Sequence, residues 1–207
     1  MNNRLELCSV FEEHRKTNLG VELGCFEGNF SKEILKRWEG NLFLVDVWKD
    51  LPIEDYKDYS NQNDYKKIIC KCIDNIKGSE GRCFMLRMDG RKAFNFFSDE
   101  SLDFVYIDAN HKYEAVVEDI KNWFPKVRKG GVVSGHDYLP MDWYNDSNFC
   151  KNGKDKPIYV QDLQDPSKYN YLGEFGVNVA VDEFCSENNY EVTTTSSDWF
   201  GSWMFIK

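Results

Sequence analysis

The sequence lacks a long apolar run and an excess of positive charge. No stretch of its 207 residues is long and apolar enough to cross a membrane, and the opening residues MNNRLELCSV lack the apolar core of a secretion signal. The formal net charge is −9, whereas a protein that binds nucleic acid usually needs a basic face. We therefore expect neither a membrane nor a nucleic acid among its partners.

Cysteine spacings typical of a metal site are also missing. The seven cysteines are scattered, and Cys70 and Cys72 are too closely spaced for a zinc site, with no second pair to match them. An odd number of cysteines without a secretion signal is typical of reduced thiols inside the cell, which predicts a cytoplasmic protein. Repeats and low-complexity segments are absent, and the 42% hydrophobic content suits one α/β domain over residues 1–207.

A strand, a helix and a second strand are predicted in the middle of the chain. Residues 104–107 and 132–134 are short apolar runs typical of buried strands. Between them, apolar residues recur with helical spacing from Tyr113 onward, and Gly130 and Gly131 are predicted to stop that helix. This order predicts a parallel βαβ unit.

Polar side chains follow both of these strands. Asp108, Asn110 and His111 come after the first strand, and His136 and Asp137 come after the second. Because parallel strands end at the same edge of a sheet, where α/β proteins bind ligands, we expect these groups to lie close together. Two ordinary turns are the alternative, but a histidine and an acid at each of two neighbouring strand ends favour a site.

A glycine turn follows another predicted strand, at residues 19–23. Gly24 and Gly28 lack the third glycine of the dinucleotide motif G-x-G-x-x-G. The turn could place backbone N–H groups against a ligand, or it could be an ordinary βα turn. Asp46 ends the next strand about twenty residues later, where an acid can bind the hydroxyls of a ribose. Trp48 could stack on a base or lie in the core.

Residues 139–175 form a long connection that is predicted to be irregular. It contains aromatic residues such as Trp143 and Tyr144 among many polar ones. A connection this long usually has a function, and aromatics beside polar groups suit the binding of a sugar. A partly disordered lid or an interface is the alternative. Two β-rich runs at residues 190–195 and 203–206 predict a closing antiparallel hairpin.

These motifs resemble those of class I S-adenosylmethionine (SAM) dependent methyltransferases. The matching stretches are residues 21–28, 44–46, 88–90 and 105–108. The more specific stretches 107–113 and 135–138, with Trp123 and Gly130-Gly131, resemble sugar and antibiotic O-methyltransferases, many of which use a divalent metal. The resemblance covers residues 18–207. It implies a Rossmann-like, doubly wound, mostly parallel seven-stranded sheet with a C-terminal antiparallel hairpin, and an acceptor-binding role for residues 139–175.

The resemblance also implies roles for individual residues. The cofactor-binding positions would be Glu22, Gly24, Cys25, Gly28, Asp46, Val47, Trp48, Asp89, Gly90 and Asp108, with Asp46 on the ribose, Trp48 beside the adenine and Asp89 facing the adenine amino group. Asp108 and Asp137 match acidic metal ligands of the metal-using relatives, and together with His136 they would hold Mg²⁺ or Mn²⁺. The alternative keeps the same residues without a metal, with His136 or His111 as the base. Asn110 stands where such relatives often carry an acidic base, and an amide cannot take a proton at neutral pH. The catalytic residues would then be Asp108, His111 and His136.

Three functions remain open at this point. The first is methyl transfer from SAM to a hydroxyl of a sugar, a glycan or another small polyol. The second is an NAD-dependent oxidoreductase, which the missing third glycine disfavours. The third is a non-catalytic nucleotide-binding or assembly module, because a fold alone does not fix a function. A homo-oligomer is also left open.

Overall fold

The computed structural model describes residues 1–49, 64–139, 153–161, 167–197 and 200–207. The strands are β1 (Leu19–Leu23), β2 (Asn41–Asp46), β3 (Cys83–Arg87), β4 (Leu102–Ile107), β5 (Val127–Tyr138), β6 (Lys156–Gln161), β7 (Tyr169–Phe175), β8 (Thr193–Thr194) and β9 (Gly201–Ile206). The helices are α1 (Leu5–Glu13), α2 (Asn29–Arg37), α3 (Tyr65–Ile76), α4 (Gly90–Ala93), α5 (Tyr113–Trp123) and α6 (Val177–Asn188). None of the described helices has the length and apolar character needed to cross a bilayer.

Seven strands form one mostly parallel sheet in the order β3-β2-β1-β4-β5-β9-β8. Strands β1 to β5 pair in parallel, whereas β9 runs antiparallel to both β5 and β8. The predicted doubly wound sheet with a C-terminal antiparallel hairpin is confirmed. The winding direction reverses between β1 and β4, and this reversal opens a crevice at the carboxyl ends of the two strands.

The central strands are buried on both faces. In β4, Phe104 and Tyr106 pack into the core that includes residues of α1, α2 and α3. The alternating residues Val105 and Ile107 pack into a second core with residues of α5 and α6. Because helices cover both faces, residues 104–107 of this strand form a continuous apolar run, and the carboxyl end of the strand is held in place next to Asp108.

Strand β5 is longer than the sequence predicted. Helix α5 ends at Trp123, a 3₁₀ turn follows at Phe124–Lys126, and β5 already begins at Val127. Gly130 therefore lies inside the strand, with a φ of +72° at a shift in the register with β4. The prediction that the two glycines stop a helix was wrong, because glycine marks a strand bulge as readily as a helix end.

The same strand extends past the predicted polar turn. A second irregularity in the pairing of β5 with β9 lies between Gly135 and Tyr138. It contains His136 and Asp137, and Asp137 has a φ of +61°. A left-handed conformation is uncommon for a residue other than glycine and here directs the Asp137 side chain out of the regular alternation.

Part of the connection at residues 139–175 is regular rather than irregular. Strands β6 and β7 form a separate antiparallel pair. Its base is an apolar cluster of Leu139, Ile158 and Phe175, against which Phe200 packs. Trp143 and Tyr144, which the sequence places in the same connection, lie outside the described residues.

Candidate active site

A cavity of about 350 Å³ opens at the carboxyl ends of β1 to β4. It is lined by Leu23, Gly24, Phe26, Val45, Asp46, Val47, Lys49, Tyr65, Met88, Asp89, Gly90, Arg91, Asp108, Ala109, Asn110, His111, Ala115 and Asp119. Six of the predicted cofactor-binding residues are in this wall, namely Gly24, Asp46, Val47, Asp89, Gly90 and Asp108. The remaining predicted positions, Glu22, Cys25, Gly28 and Trp48, lie outside the wall.

Gly24 brings the turn after β1 into contact with the end of β4. Its φ is +78°, and a Cβ atom added there would lie 1.8 Å from the carbonyl oxygen of Asp108. Only glycine fits this approach, because every other residue would collide with the backbone. The absence of a side chain also keeps the cavity open between the two strands. Gly28 precedes α2 in a left-handed conformation with a φ of +71°.

Asp46 holds two unusual backbone positions at the mouth of the cavity. Its carboxylate accepts hydrogen bonds from the N–H of Phe26 at 2.9 Å and of Trp48 at 2.7 Å. Both of these residues have a positive φ, 47° and 40° respectively. Burial raises the pKa of Asp46 in spite of the backbone N–H groups that stabilise its charge. Asp46 therefore organises the turn that faces any bound ligand.

Trp48 lies in the core rather than beside the cavity. It is 1% exposed, and its indole N–H donates to the carbonyl oxygen of Phe26 at 2.8 Å. In this position it supports the turn from behind, while Val47 and Lys49 form the wall. Of the two interpretations of Trp48, the geometry agrees with the core residue. Cys25 is likewise buried, and its thiol donates to the Glu22 carbonyl oxygen at 3.2 Å.

Asp89 and Gly90 lie at the cavity end formed by β3 and α4. The Asp89 carboxylate caps α4 through the N–H of Arg91 and pairs with the Arg91 guanidinium at 2.8 Å. Burial alone would raise the pKa of Asp89, but the hydrogen bonds from Arg91 lower it overall. Asp89 is therefore a carboxylate at neutral pH and can accept a hydrogen bond from a ligand.

Glu22 lies beneath the glycine turn. It is 2% exposed and accepts a hydrogen bond from the Ser31 hydroxyl at 2.6 Å. Burial raises the pKa of Glu22 to about 8, and the negative charge of Asp108 adds to this effect. The side chain is therefore largely protonated at neutral pH.

The buried acid gives a prediction for stability against pH. Because the pKa of Glu22 is higher in the folded state, its favourable contribution is complete below about pH 4.5 and is lost as the pH rises through about 8. Glu22→Gln should abolish this loss and raise the free energy of unfolding at pH 9 by up to about 5 kcal/mol. Denaturant unfolding at pH 5, 7 and 9 would measure it, with the exposed Glu118→Gln as control. Parallel pH profiles of Glu22→Gln and the unsubstituted protein would contradict it.

Beside the cavity, Asp108, His111 and Asp137 form what we term the acid–histidine cluster. The Nε2 atom of His111 lies 3.0 Å from Oδ2 of Asp137 and 3.9 Å from Oδ1 of Asp108. The Nδ1 atom of His136 lies 3.4 Å from Oδ1, the other carboxylate oxygen of Asp137. The two predicted turns therefore do meet, and Asp137 lies between the two histidines.

Burial and like charge shift the pKa values within the cluster. Burial and the negative charge of Asp137 raise the pKa of Asp108. Burial would raise that of Asp137 too, but the charge of His111 and the hydrogen bond with His136 lower it overall. Burial would lower the pKa of His136, but the hydrogen bond to Asp137 and the charge of Asp108 raise it overall. Such mutual perturbation is typical of catalytic and metal-binding sites.

The acid–histidine cluster has the composition of a divalent-cation site. One ligand atom from each of its three residues lies within 4.8 Å of the other two. Two carboxylates this close repel each other unless a cation or a proton lies between them. Two carboxylates with one imidazole suit Mg²⁺ or Mn²⁺. The set differs from the predicted one, because His111 replaces His136 as the histidine that faces both acids.

Two further residues of the cavity wall were not predicted from the sequence. Phe26 is 45% exposed with a φ of +47°. A left-handed backbone conformation is rare for phenylalanine and cannot be predicted from the sequence pattern. Asp119 is only 6% exposed on α5. The sequence contained a signal for Asp119, because it lies three residues after Val116 within the apolar stripe of the helix. A charged residue at such a position is rare and indicates a possible functional role.

The family of the chain follows from comparison with known proteins. A family model described as a methyltransferase domain matches residues 21–138, more than half of the 207 residues. The chain therefore belongs to this methyltransferase family, and the predicted resemblance to class I methyltransferases is confirmed. A curated relative, the uncharacterized protein y4gI of Sinorhizobium fredii, is 26% identical over 95 residues, which are 46% of this chain and 10% of that protein. The match thus spans about a tenth of the length of that relative.

Solved methyltransferase structures share the fold at low sequence identity. The O-methyltransferase TomG from Streptomyces achromogenes, involved in tomaymycin synthesis and solved in complex with SAM, has a TM-score of 0.63 and 12% identity, covering 98% of this chain and 78% of that one. A SAM-dependent methyltransferase from Methanosarcina mazei has a TM-score of 0.61 and 11% identity, covering 96% of each chain. An O-methyltransferase family protein from Burkholderia thailandensis has a TM-score of 0.59 and 12% identity, covering 98% and 55%.

Proposed function

We propose that this chain is a SAM-dependent O-methyltransferase that methylates a hydroxyl group of a sugar, a glycan or another small polyol. One observation carries the proposal: Asp108 and His111 line the cavity and also belong to the acid–histidine cluster. A cofactor in the cavity and an acceptor at the cluster would therefore meet at the same two side chains. Membership of a methyltransferase family favours this function over the nicotinamide-dependent alternative.

The cavity supplies groups that complement SAM. Asp46 offers carboxylate oxygens for the ribose hydroxyls, and Asp89 offers them for the adenine amino group. Gly24 leaves room for the methionine part between β1 and β4. When bound, SAM supplies a methyl group on a positively charged sulfur, which is a strong methyl donor. The contribution of the protein is to align an acceptor oxygen with that methyl group.

The acid–histidine cluster supplies a way to remove the proton of the acceptor hydroxyl. His111 faces the cavity, and Asp137, 3.0 Å from its Nε2 atom, can orient the ring and stabilise its protonated form. Without a metal, His111 is the better-placed base, because His136 contacts Asp137 but does not line the cavity. In the alternative arrangement, Asp108, His111 and Asp137 would hold a Mg²⁺ or Mn²⁺ ion. His111 would then be a ligand rather than the base, and the ion would supply positive charge that favours loss of the hydroxyl proton.

The connection at residues 139–175 supports an acceptor site next to the cluster. Phe175, at the end of β7, stacks on the His111 ring with centroids 4.7 Å apart. The N–H of Gly176 donates to the His111 carbonyl oxygen at 2.8 Å. The end of this connection is thus fixed to the proposed base. A hydroxylated ring bound by the connection would lie within reach of the cavity.

A methyl-transfer assay with a panel of sugars and glycans tests the proposal. We expect transfer from SAM to at least one hydroxyl compound, its loss after treatment with EDTA, and its recovery on addition of Mg²⁺ or Mn²⁺. Calorimetry should show binding of SAM and of its product S-adenosylhomocysteine, and weaker or no binding of NAD. Activity that is insensitive to EDTA would refute the metal while leaving methyl transfer intact. Failure to bind SAM or its product at millimolar concentration would refute the function as a whole.

A further inference from the structure

We infer that Asp119 of α5 is a base-recognition residue whose carboxyl group forms two hydrogen bonds with the edge of the adenine of the cofactor. The inference rests on the proposed binding of SAM in the cavity. It concerns a different part of the cavity from the acid–histidine cluster, because Asp119 lies near Gly90 and Ala115 rather than near Asp137. It adds a specificity residue to the reaction rather than a catalytic one.

The position of Asp119 supports this role. The residue is 6% exposed and follows Val116 on the buried side of α5, yet it lines the cavity. A Cβ atom added to Gly90 would lie 3.9 Å from its Oδ1 atom and equally far from the Leu23 side chain. The carboxyl group therefore stands between an apolar wall and the strand end that carries Asp89.

Within the described part of the chain, no hydrogen bond or ion pair involves the Asp119 carboxyl group; the nearby charges are Glu118, Asp89 and Arg91. A buried carboxyl group without a partner destabilises a protein, so such groups are rare unless a ligand satisfies them. The buried side of α5 would be more stable with an apolar residue at this position. The Asp119 carboxyl group is thus available to form hydrogen bonds with a polar ligand in the cavity.

The chemistry of the carboxyl group matches an adenine edge. Burial raises the pKa of Asp119 to about 7, and the negative charges of Glu118 and Asp89 add to the shift while Arg91 opposes it. In the protonated form the O–H can donate to a ring nitrogen while the carbonyl oxygen accepts from the amino group. An asparagine side chain pairs with adenine by the same pattern. Because the amino group has two hydrogens, Asp89 can accept the other one.

Two substitutions separate recognition of the base from a structural role. Asp119→Ala removes both hydrogen bonds and should weaken the binding of S-adenosylhomocysteine by roughly 10–100-fold. Asp119→Asn keeps a donor and an acceptor in the same shape and should bind within about threefold of the unsubstituted protein. Asp119→Asn should also unfold at an equal or higher temperature without ligand, because it no longer buries an unpaired acid. The exposed Glu114→Gln, on the same helix, is the matched control.

The binding experiment uses two ligands, S-adenosylhomocysteine and S-inosylhomocysteine, in which a carbonyl oxygen replaces the amino group. Calorimetry on the unsubstituted protein should show preference for the adenine ligand, and Asp119→Ala should reduce that preference, with Asp89 retaining the remainder, while its affinity for the inosine ligand changes less than its affinity for the adenine ligand. An unchanged preference in Asp119→Ala would overturn the inference, as would equal losses for both ligands together with a lower unfolding temperature. If the unsubstituted protein binds neither ligand, the proposed function fails and the inference fails with it; if it binds both equally, only the inference fails.

Discussion

Replacing Asp137 with asparagine should lower the rate of methyl transfer by roughly 10²–10⁴-fold while the protein stays folded. The reason is the central place of this carboxylate. It lies 3.0 Å from Nε2 of His111 and 3.4 Å from Nδ1 of His136, and it is one of the three candidate metal ligands. Asparagine keeps the shape but removes the charge that would stabilise a protonated histidine or a cation.

Asparagine is the informative substitution because of the backbone at this position. Asp137 has a φ of +61°, and asparagine tolerates the left-handed region better than alanine does. A loss of activity can then be assigned to the missing charge rather than to strain. Initial rates would be measured with SAM and an acceptor found in the panel assay, together with the unfolding temperature. Asp99→Asn, which removes an exposed carboxylate far from the cluster, should leave the rate unchanged. Near-normal turnover of Asp137→Asn would mean that the chemistry occurs elsewhere.

Replacing Asp46 with alanine should weaken the binding of SAM and S-adenosylhomocysteine by about 1.5–3 kcal/mol, or roughly 10- to 150-fold. The substitution would remove the carboxylate, and with it the proposed charge-assisted hydrogen bonds to the ribose hydroxyls. It would also remove the acceptor for the N–H groups of Phe26 and Trp48, whose hydrogen bonds hold the turn at the cavity mouth. Both losses act on the same ligand.

Ligands with an altered ribose distinguish the two contributions. If Asp46 contacts the hydroxyls, the unsubstituted protein should bind 2′-deoxy and 3′-deoxy forms of S-adenosylhomocysteine more weakly than the normal ligand. Asp46→Ala should reduce that difference. If Asp46 only positions the turn, the variant should weaken all of these ligands by the same factor. Asp74→Ala, an exposed acid on α3, serves as the control. An unchanged affinity in Asp46→Ala would show that the residue does not take part in binding.

The backbone elements around the site were largely predictable from the sequence. Strand β1 has the predicted bounds, because a short apolar run that precedes a glycine turn is a property of a short stretch of chain. Gly24 and Asp46, which the sequence predicts to bind the cofactor, both line the cavity, since a glycine turn and an acid at neighbouring strand ends have fixed positions once the sheet is parallel. The extent of β5 was missed because its two glycines fit either a helix end or a strand bulge.

The amino-acid sequence by itself determined the α/β class and the positions of the central parallel strands along the chain. It also determined the edge of the sheet at which the acids and histidines lie. Only the tertiary structure decided which of these side chains meet. It placed His111 rather than His136 next to both Asp108 and Asp137. It also buried Trp48 in the core and placed Asp119 in the wall of the cavity. Such choices depend on the register between β4 and β5, on a left-handed residue at Asp137 and on the rotation of α5. Each of these is fixed by packing between elements distant in the chain, which a local pattern does not contain.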